Sequence, residues 1–269
     1  MDIPFRKMHG LGNDFIVIDS RGSPIVMTPR RAAALADRRT GIGCDQLIVL
    51  EPADRADVRM RIFNSDGGEV ESCGNASRAV GLLLGGTRRI ETLGGTIVAS
   101  AGDAGVSVDM GQPRFGWQDI PLAYAMDTLA MPVAFEDLAT PVAVNVGNPH
   151  VVFFVPDAQS VDLERLGPVI EHDPLFPARI NVNVASVIAP DVIDLRVWER
   201  GAGLTRACGT GACATAVAAM RRRLTGRRVE VRLPGGPLTI AWGDDDAIVM
   251  TGPAATAFVG QFAEADFPA

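Results

Sequence analysis

Ser72-Cys73-Gly74-Asn75-Ala76 and Ala207-Cys208-Gly209-Thr210-Gly211 stand 135 residues apart in a chain of 269, and this pair decides the fold. Each cysteine has a glycine five residues before it, Gly68 and Gly203, and small residues after it. The same offset carries Gly12-Asn13 onto Gly147-Asn148. Each of those is followed by an apolar run, Phe15-Ile16-Val17-Ile18 and Val151-Val152-Phe153-Phe154. An offset of half the chain makes the protein two copies of one unit. Such a duplication can set two equivalent cysteines face to face across one cleft. Two opposed thiols are a minimal device for taking a proton from one face of a carbon and returning it to the other.

Working outward, residues 5–8 and 15–19 read as a hairpin around Gly10-Leu11-Gly12-Asn13. Residues 29–37 are an alanine-rich helix, and 46–51 and 58–64 alternate like strands. Residues 73–84 form a helix of small and apolar residues, and a helix apolar nearly all round is a buried one. Strands follow at 97–100 and 106–110. The second half repeats the order: strands at 142–145 and 151–155, a short helix near 161–170, strands at 183–188 and 194–198, and a buried helix at 208–222. Strands at 229–233, 238–242 and 247–251 complete it. Residues 111–141, rich in Pro and Gly at their start, read as the linker region. The fold class is α+β: two pseudo-symmetric halves, each a mostly antiparallel or mixed β-sheet wrapped around a central helix.

At 47% apolar and 21% charged residues, both halves can bury real cores. The net charge is −7, and Arg221-Arg222-Arg223 and Arg227-Arg228 read as a solvated helix end and turn, not a nucleic-acid surface. No apolar run approaches the ~20 residues needed to span a bilayer. Met1-Asp2-Ile3-Pro4 does not resemble a signal peptide. The expectation is a cytoplasmic protein with reduced thiols, binding neither nucleic acid nor membrane. Four cysteines without a CxxC pair argue against a zinc ribbon, so no metal is expected. Cys44 and Cys213 read as small core residues. Lys7 is the only lysine, and it lies at the end of a first strand. Pyridoxal phosphate needs a lysine for its Schiff base, so that chemistry is close to excluded. No Gly-x-Gly-x-x-Gly opens a helix after a strand, so no dinucleotide is indicated.

Both cysteines fall at the start of a central helix. The first amide N–H groups of a helix lack internal partners and carry partial positive charge. A thiolate there is expected to have a lowered pKa. The same amides make a carboxylate site, which Gly74 and Gly209 open to close approach and to which Asn75 and Thr210 add donors. Two such starts aimed at one carboxylate stabilise the charge that builds as the neighbouring carbon loses a proton. His150 reads equally as a structural histidine or a site residue, and His172 as part of an exposed loop. Glu199-Arg200 reads either as a surface ion pair or as a clamp for a substrate carboxylate.

Together, Met8-His9-Gly10-Leu11-Gly12-Asn13-Asp14-Phe15, Gly43-Cys44-Asp45-Gln46, Asn64-Ser65-Asp66-Gly67, Cys73-Gly74-Asn75, Gly147-Asn148-Pro149-His150 and Glu199-Arg200-Gly201-Ala202-Gly203 through Ala207-Cys208-Gly209-Thr210-Gly211 resemble the diaminopimelate epimerase family. The likeness runs in order from residue 5 to about 252. It implies a cofactor-independent isomerase interconverting LL- and meso-diaminopimelate, in lysine and peptidoglycan precursor biosynthesis. It implies that Cys73 and Cys208 are the acid/base pair and that Gly74, Asn75, Gly209 and Thr210 hold the reacting carboxylate. Asn13, Gln46, Asn64, Asn148, Asn183, Glu199 and Arg200 would grip the rest of the substrate, while His150 and Glu199 tune the thiols. It further implies halves at 1–114 and 115–253, a tail at 254–269 packing back on the first, an active site between the halves, and a homodimer. Ala76 departs from the glycine common after Cys-Gly-Asn, and Cys44 from the usual non-cysteine residue.

Three other readings compete. A thiol–disulfide oxidoreductase needs an accessible pair, usually close in sequence, and the 135-residue separation argues against it. A non-catalytic amino-acid binder explains the clamp but not two matched thiols. Proline racemases and phenazine-pathway isomerases do not need a distal clamp such as Glu199-Arg200.

Overall fold

Val58-Arg59-Met60-Arg61-Ile62 alternates apolar and charged residues, and the fold buries Val58, Met60 and Ile62 while Arg59 faces solvent. This period of two makes half-buried strands through much of the chain. The computed structural model describes every residue except Ser72, so that member of the first cysteine motif lies outside the described residues. Two units are present, Met1–Val108 with Gly252–Ala269, and Asp109–Thr251.

The first unit contains β1 (Asp2–Gly10), β2 (Asn13–Asp19), α1 (Pro29–Ala36), β3 (Gln46–Glu51), β4 (Val58–Asn64), β5 (Glu69–Val70), α2 (Gly74–Leu84), β6 (Thr87–Thr92), β7 (Gly95–Gly102) and β8 (Gly105–Asp109). The C-terminal strand Ala255–Ala263 returns to pair antiparallel with β1. From β1 the sheet runs antiparallel to β2, parallel to β3, antiparallel to β4, parallel to β6, then antiparallel through β7 and β8. The β1–β2 loop is Leu11-Gly12, both at positive φ, as a two-residue hairpin turn demands. Leu11 is buried, which offsets the steric cost of that backbone for a side chain.

The second unit contains β9 (Ala134–Phe135), β10 (Leu138–Ala139), β11 (Val142–Asn145), β12 (Pro149–Phe154), α3 (Leu163–Glu171), β13 (Asn181–Ala189), β14 (Val192–Glu199), β15 (Gly203–Thr205), α4 (Gly209–Arg221), β16 (Arg228–Leu233), β17 (Gly236–Trp242) and β18 (Ile248–Gly252). Its sheet repeats the sense of every pairing, with β11, β12, β13, β14, β16, β17 and β18 in the places of β1, β2, β3, β4, β6, β7 and β8. Even the register repeats. Phe15↔Gln46 recurs as His150↔Asn181, and Phe63↔Glu69 as Trp198↔Leu204. Past the helices the offset grows from 135 to 141, because α4 is 13 residues long against 11 for α2 and the connection to the next strand is six residues against two.

The α+β architecture read from the sequence is the one observed, with each sheet enclosing a helix. α2 buries every residue from Asn75 to Gly81 and packs on β1, β2, β6, β7 and the returning strand. α4 buries Gly211–Met220 and packs on β11 to β14, β16 and β17. Residues 111–141 are no linker. Ile120, Leu122, Met131 and Leu138 are buried in one cluster with Val151, Phe153, Leu163 and Ile170. Their irregular spacing shows no period, yet their side chains close the core of the second unit. β5 and β6 are further differences: Thr-Arg-Arg-Ile-Glu-Thr in β6 has one fully buried aliphatic, Ile90, too little for a pattern. Among the described residues, no helix is long and apolar enough to cross a membrane.

α2 approaches its sheet closely at Gly81, where an added Cβ would lie 2.8 Å from Val106 Cγ1 and 2.9 Å from Ala99 Cβ. The Ala99 Cβ is fixed to its strand, so the helix itself must move. Gly81→Val is expected to lower unfolding free energy by about 2 kcal/mol, the scale of core overpacking, measured by urea titration. An unchanged midpoint would show that the contact is slack.

Candidate active site

Cys73 and Cys208 occupy one structural position in two copies. Each is the N-cap of its central helix in extended backbone, and each sulfur accepts the N–H three residues on: Ala76 at 3.5 Å and Gly211 at 3.3 Å. The helices therefore begin one residue after the cysteines. Gly74 and Gly209 are their first residues, with Asn75 and Thr210 next. The N–H groups of a first turn have no intrahelical partner, and this is where an anion can be received.

In the first unit the hairpin end brings Asn13 to Cys73. The Asn13 Oδ1 accepts from Asn75 Nδ2 at 3.1 Å and from the Cys73 thiol at 3.9 Å. Gln46 and Asn64, directly opposite on β3 and β4, are joined by Gln46 Nε2 donating to Asn64 Oδ1 at 3.0 Å. The buried Gln46 Oε1 has no partner among the described residues, so it keeps an acceptor in reserve. Sequence reasoning missed an ion cluster behind Asn13. Lys7 pairs with Asp14 at 2.5 Å and also donates to the Gly43 carbonyl; Arg38 bridges Asp14 at 2.5 Å and Asp45 at 2.7 Å. Burial works against the Asp14 carboxylate, but hydrogen bonds from Arg38 and Lys7 hold its pKa well below the usual range. The alternation of opposite charges at 7, 14, 38 and 45 was visible, but not that the turns bring them together.

In the second unit, Thr210 Oγ1 lies 3.5 Å from the Cys208 sulfur, and the Thr205 hydroxyl donates to Glu199 Oε1 at 2.5 Å. An added Cβ on Gly211 would lie 2.9 Å from Asn183 Oδ1 and 3.2 Å from Cys208 Sγ, so only glycine lets Asn183 stand so near the thiol. A chain of fixed polarity runs from Asn183. Its Nδ2 donates to the Val151 carbonyl at 3.3 Å and to His150 Nδ1 at 3.0 Å. The imidazole must then carry its proton on Nε2, from which it donates to Asn148 Oδ1 at 2.9 Å. Asn148 is left presenting its NH2 group. Arg200 is exposed and makes no ion pair with Glu199. Its Nη1 donates to the Ala178 carbonyl at 2.9 Å, and its backbone N–H to Asn181 Oδ1 at 2.9 Å. Glu171, the neighbour of the exposed His172, is buried. It accepts from Trp198 Nε1 at 2.8 Å and Gly201 N–H at 3.0 Å, pinning the turn that carries Arg200.

A family model for diaminopimelate epimerase matches residues 5–116 and 142–257. The diaminopimelate epimerase of Erythrobacter litoralis is 64% identical over 268 residues, covering 99% of this chain and 100% of its own. That of Rhizorhabdus wittichii is 64% identical over 262 residues, 97% of this chain and 96% of its own. The chain belongs to the diaminopimelate epimerase family. Members of this family are isomerases, and so is this chain. Among solved structures, a phenazine biosynthesis protein of the PhzF family from Enterococcus faecalis superposes with a TM-score of 0.73 at 14% identity, covering 98% of this chain and 100% of its own. A probable proline racemase from Agrobacterium radiobacter gives 0.68 at 17% identity, covering 97% of this chain and 93% of its own. At such identities these two share the fold alone.

Within this diaminopimelate epimerase fold, one expectation is overturned. A helix start was to lower the thiol pKa, but at Cys208 burial raises it well above the ordinary value, and the Glu199 charge raises it further. The Thr210 hydroxyl and the Gly211 N–H oppose this and lose. At 3% exposure the hydration a thiolate loses outweighs what the neighbouring donors return. Burial also raises the Glu199 carboxyl, against hydrogen bonds from Thr205 and Cys208. Cys44, pushed up to about 11 by burial, and the fully buried Cys213 are packing residues.

Removing the Glu199 charge relieves Cys208. Glu199→Gln is expected to move the pH midpoint of Cys208 alkylation downward by about one unit, the effect of one close charge. Peptide-resolved iodoacetamide kinetics read it, and an upward move would reverse the assignment.

Burial, aided by the Arg200 charge, depresses His150 from 6.5 to about 3. The unfolded chain therefore binds a proton below the ordinary pKa that the folded chain refuses. Stability is full above about pH 6.5 and is lost as pH falls towards 3. His150→Gln should show a shallower loss of urea midpoint between about pH 6.5 and 4 than the parent chain. Equal slopes would place the imidazole in solvent.

Proposed function

We propose that this chain interconverts LL- and meso-2,6-diaminopimelate through two cysteine bases, without a cofactor. The observation that carries this is the matched pair of capped thiols, Cys73 and Cys208, each at the start of the buried helix of its unit. In the proposed reaction Cys73 begins as thiolate and Cys208 as thiol, in keeping with the raised pKa of the latter. Cys73 takes the Cα proton, and the electron pair left behind spreads into the carboxylate. The Cys208 S–H then delivers its proton to the opposite face, ending as thiolate. The reverse reaction starts from this second state, so neither an oxidant nor a second substrate is needed.

The amides of Gly74, Asn75, Gly209 and Thr210 receive the reacting carboxylate and the charge it gains. Asn13, Gln46, Asn64, Asn148, Asn183, Glu199 and Arg200 hold the remainder of the substrate, with the exposed guanidinium of Arg200 available to the distal carboxylate. Glu199 keeps Cys208 protonated. His150 acts through the orientation of Asn148 and not through charge, since its ring stays neutral. Against pyridoxal chemistry stands Lys7, the only lysine, whose ammonium is committed to Asp14 and the Gly43 carbonyl. The same reading makes the chain a cytoplasmic homodimer on the route to lysine and peptidoglycan precursors, where free thiols persist.

In deuterated water, a two-base enzyme places solvent deuterium in the product and little in recovered substrate at early times. Cys73→Ala and Cys208→Ala should each reduce epimerisation by about a thousandfold or more, since a proton taken from one face cannot be returned to the other. Cys44→Ala and Cys213→Ala should stay active, and activity should survive chelation and dialysis. An active Cys73→Ala or Cys208→Ala enzyme, or equal labelling of substrate and product, would refute the mechanism.

A further inference from the structure

The two pseudo-equivalent asparagines are held in opposite senses. Asn148 turns its oxygen to His150. Asn13 turns its NH2 to Asp45, with Nδ2 2.9 Å from Asp45 Oδ2. A carboxylate only accepts hydrogen bonds, so this contact fixes which end of the Asn13 amide faces which way. The Asn13 oxygen is thereby directed at Asn75 Nδ2 and the Cys73 thiol. Asp45 is itself immobilised. Its Oδ1 accepts from Arg38 at 2.7 Å, its Oδ2 from the Asp14 N–H at 3.1 Å, and its own N–H donates to Asp14 Oδ1 at 3.1 Å. The second unit has Ile180 at the corresponding place, so no such carboxylate is available there.

We propose that Asp45 is a positioning residue for the reaction: it locks the Asn13 amide with its oxygen toward Cys73, and so sets the hydrogen-bonding environment of that thiol. This rests on the assignment of Cys73 as one of the two bases. Arg38 and Lys7, by anchoring Asp14 and Asp45, keep the lock rigid in an otherwise solvent-accessible corner of the unit.

Asp45→Asn is the near-isosteric test. The new NH2 must face either Arg38 or the Asp14 N–H and Asn13, donors in both places, so the lock on Asn13 is lost and its NH2 is free to turn toward the thiol. With that acceptor replaced by a donor, the Cys73 thiolate is favoured. The pH midpoint of Cys73 alkylation should fall by about half a unit, the effect of one modest hydrogen bond. A merely loosened loop would instead raise the plateau rate and leave the midpoint in place. Epimerisation should lose about tenfold in kcat/KM, as expected when an aligned group is misplaced, with little change in Tm. Asp45→Ala should behave in the same direction. In an Asn13→Ala background neither substitution should reduce kcat/KM further. A midpoint that does not move, or losses at positions 13 and 45 that add in full, would overturn the proposal. Should Asn13→Ala keep full activity, the substrate-binding assignment of Asn13 falls. The alkylation midpoint, which needs no substrate, still decides the role of Asp45.

Discussion

A helix with no polar face survives in water only when a sheet closes around it, and the rest of this protein depends on that burial. α4 is composed almost wholly of alanine, glycine, threonine and other small residues, and α2 is small-residue-rich around a fully buried Arg78, because strands pass close on several sides. The beginning of such a helix carries amides with no partner inside the helix. A thiol used as the N-cap satisfies one of those amides and leaves the others for an anion.

Burial has a second consequence, opposite in sign to the first. The helix start attracts negative charge, but the surroundings of Cys208 exclude the water a thiolate would use. There desolvation and the neighbouring Glu199 outweigh the amides. The reasoning from position alone predicts a low pKa, and the structure shows a raised one, because dipolar stabilisation is smaller than the loss of hydration. The same rule keeps His150 neutral and turns it into a link of fixed polarity between Asn183 and Asn148. In the first unit the polarity is set by a carboxylate, in the second by a backbone carbonyl, so a duplicated sheet supports two differently wired sites.

Much of the strand order was legible, for a definite reason. β3 and β4 are read to the residue because β3 is a short apolar run between polar ends, buried from Leu47 to Leu50, and β4 alternates from Val58 to Ile62. β6 is not legible because its polar residues face solvent and only Ile90 is fully buried. Residues 111–141 mislead in the other direction. Their glycines and prolines signal a linker, while Ile120, Leu122 and Met131, without any period, fill the core between α3 and β12.

By itself the sequence determined the duplication, the placement of Cys73 and Cys208 at matching helix starts, the family, and most of the residues offered to the site. These are local or repeated signals, carried by residue type and spacing. Only the tertiary structure decided which carboxylates and amides meet. Asp45 reaches Asn13 across 32 positions, Glu171 reaches Trp198 across 27, and Asn183 reaches His150 across 33. Such pairs are set by strand register and by hairpin turns, which leave no mark at the residues that finally touch. The raised pKa of Cys208 belongs to the same class, since it arises from the neighbours that surround a sulfur and not from its position in the chain.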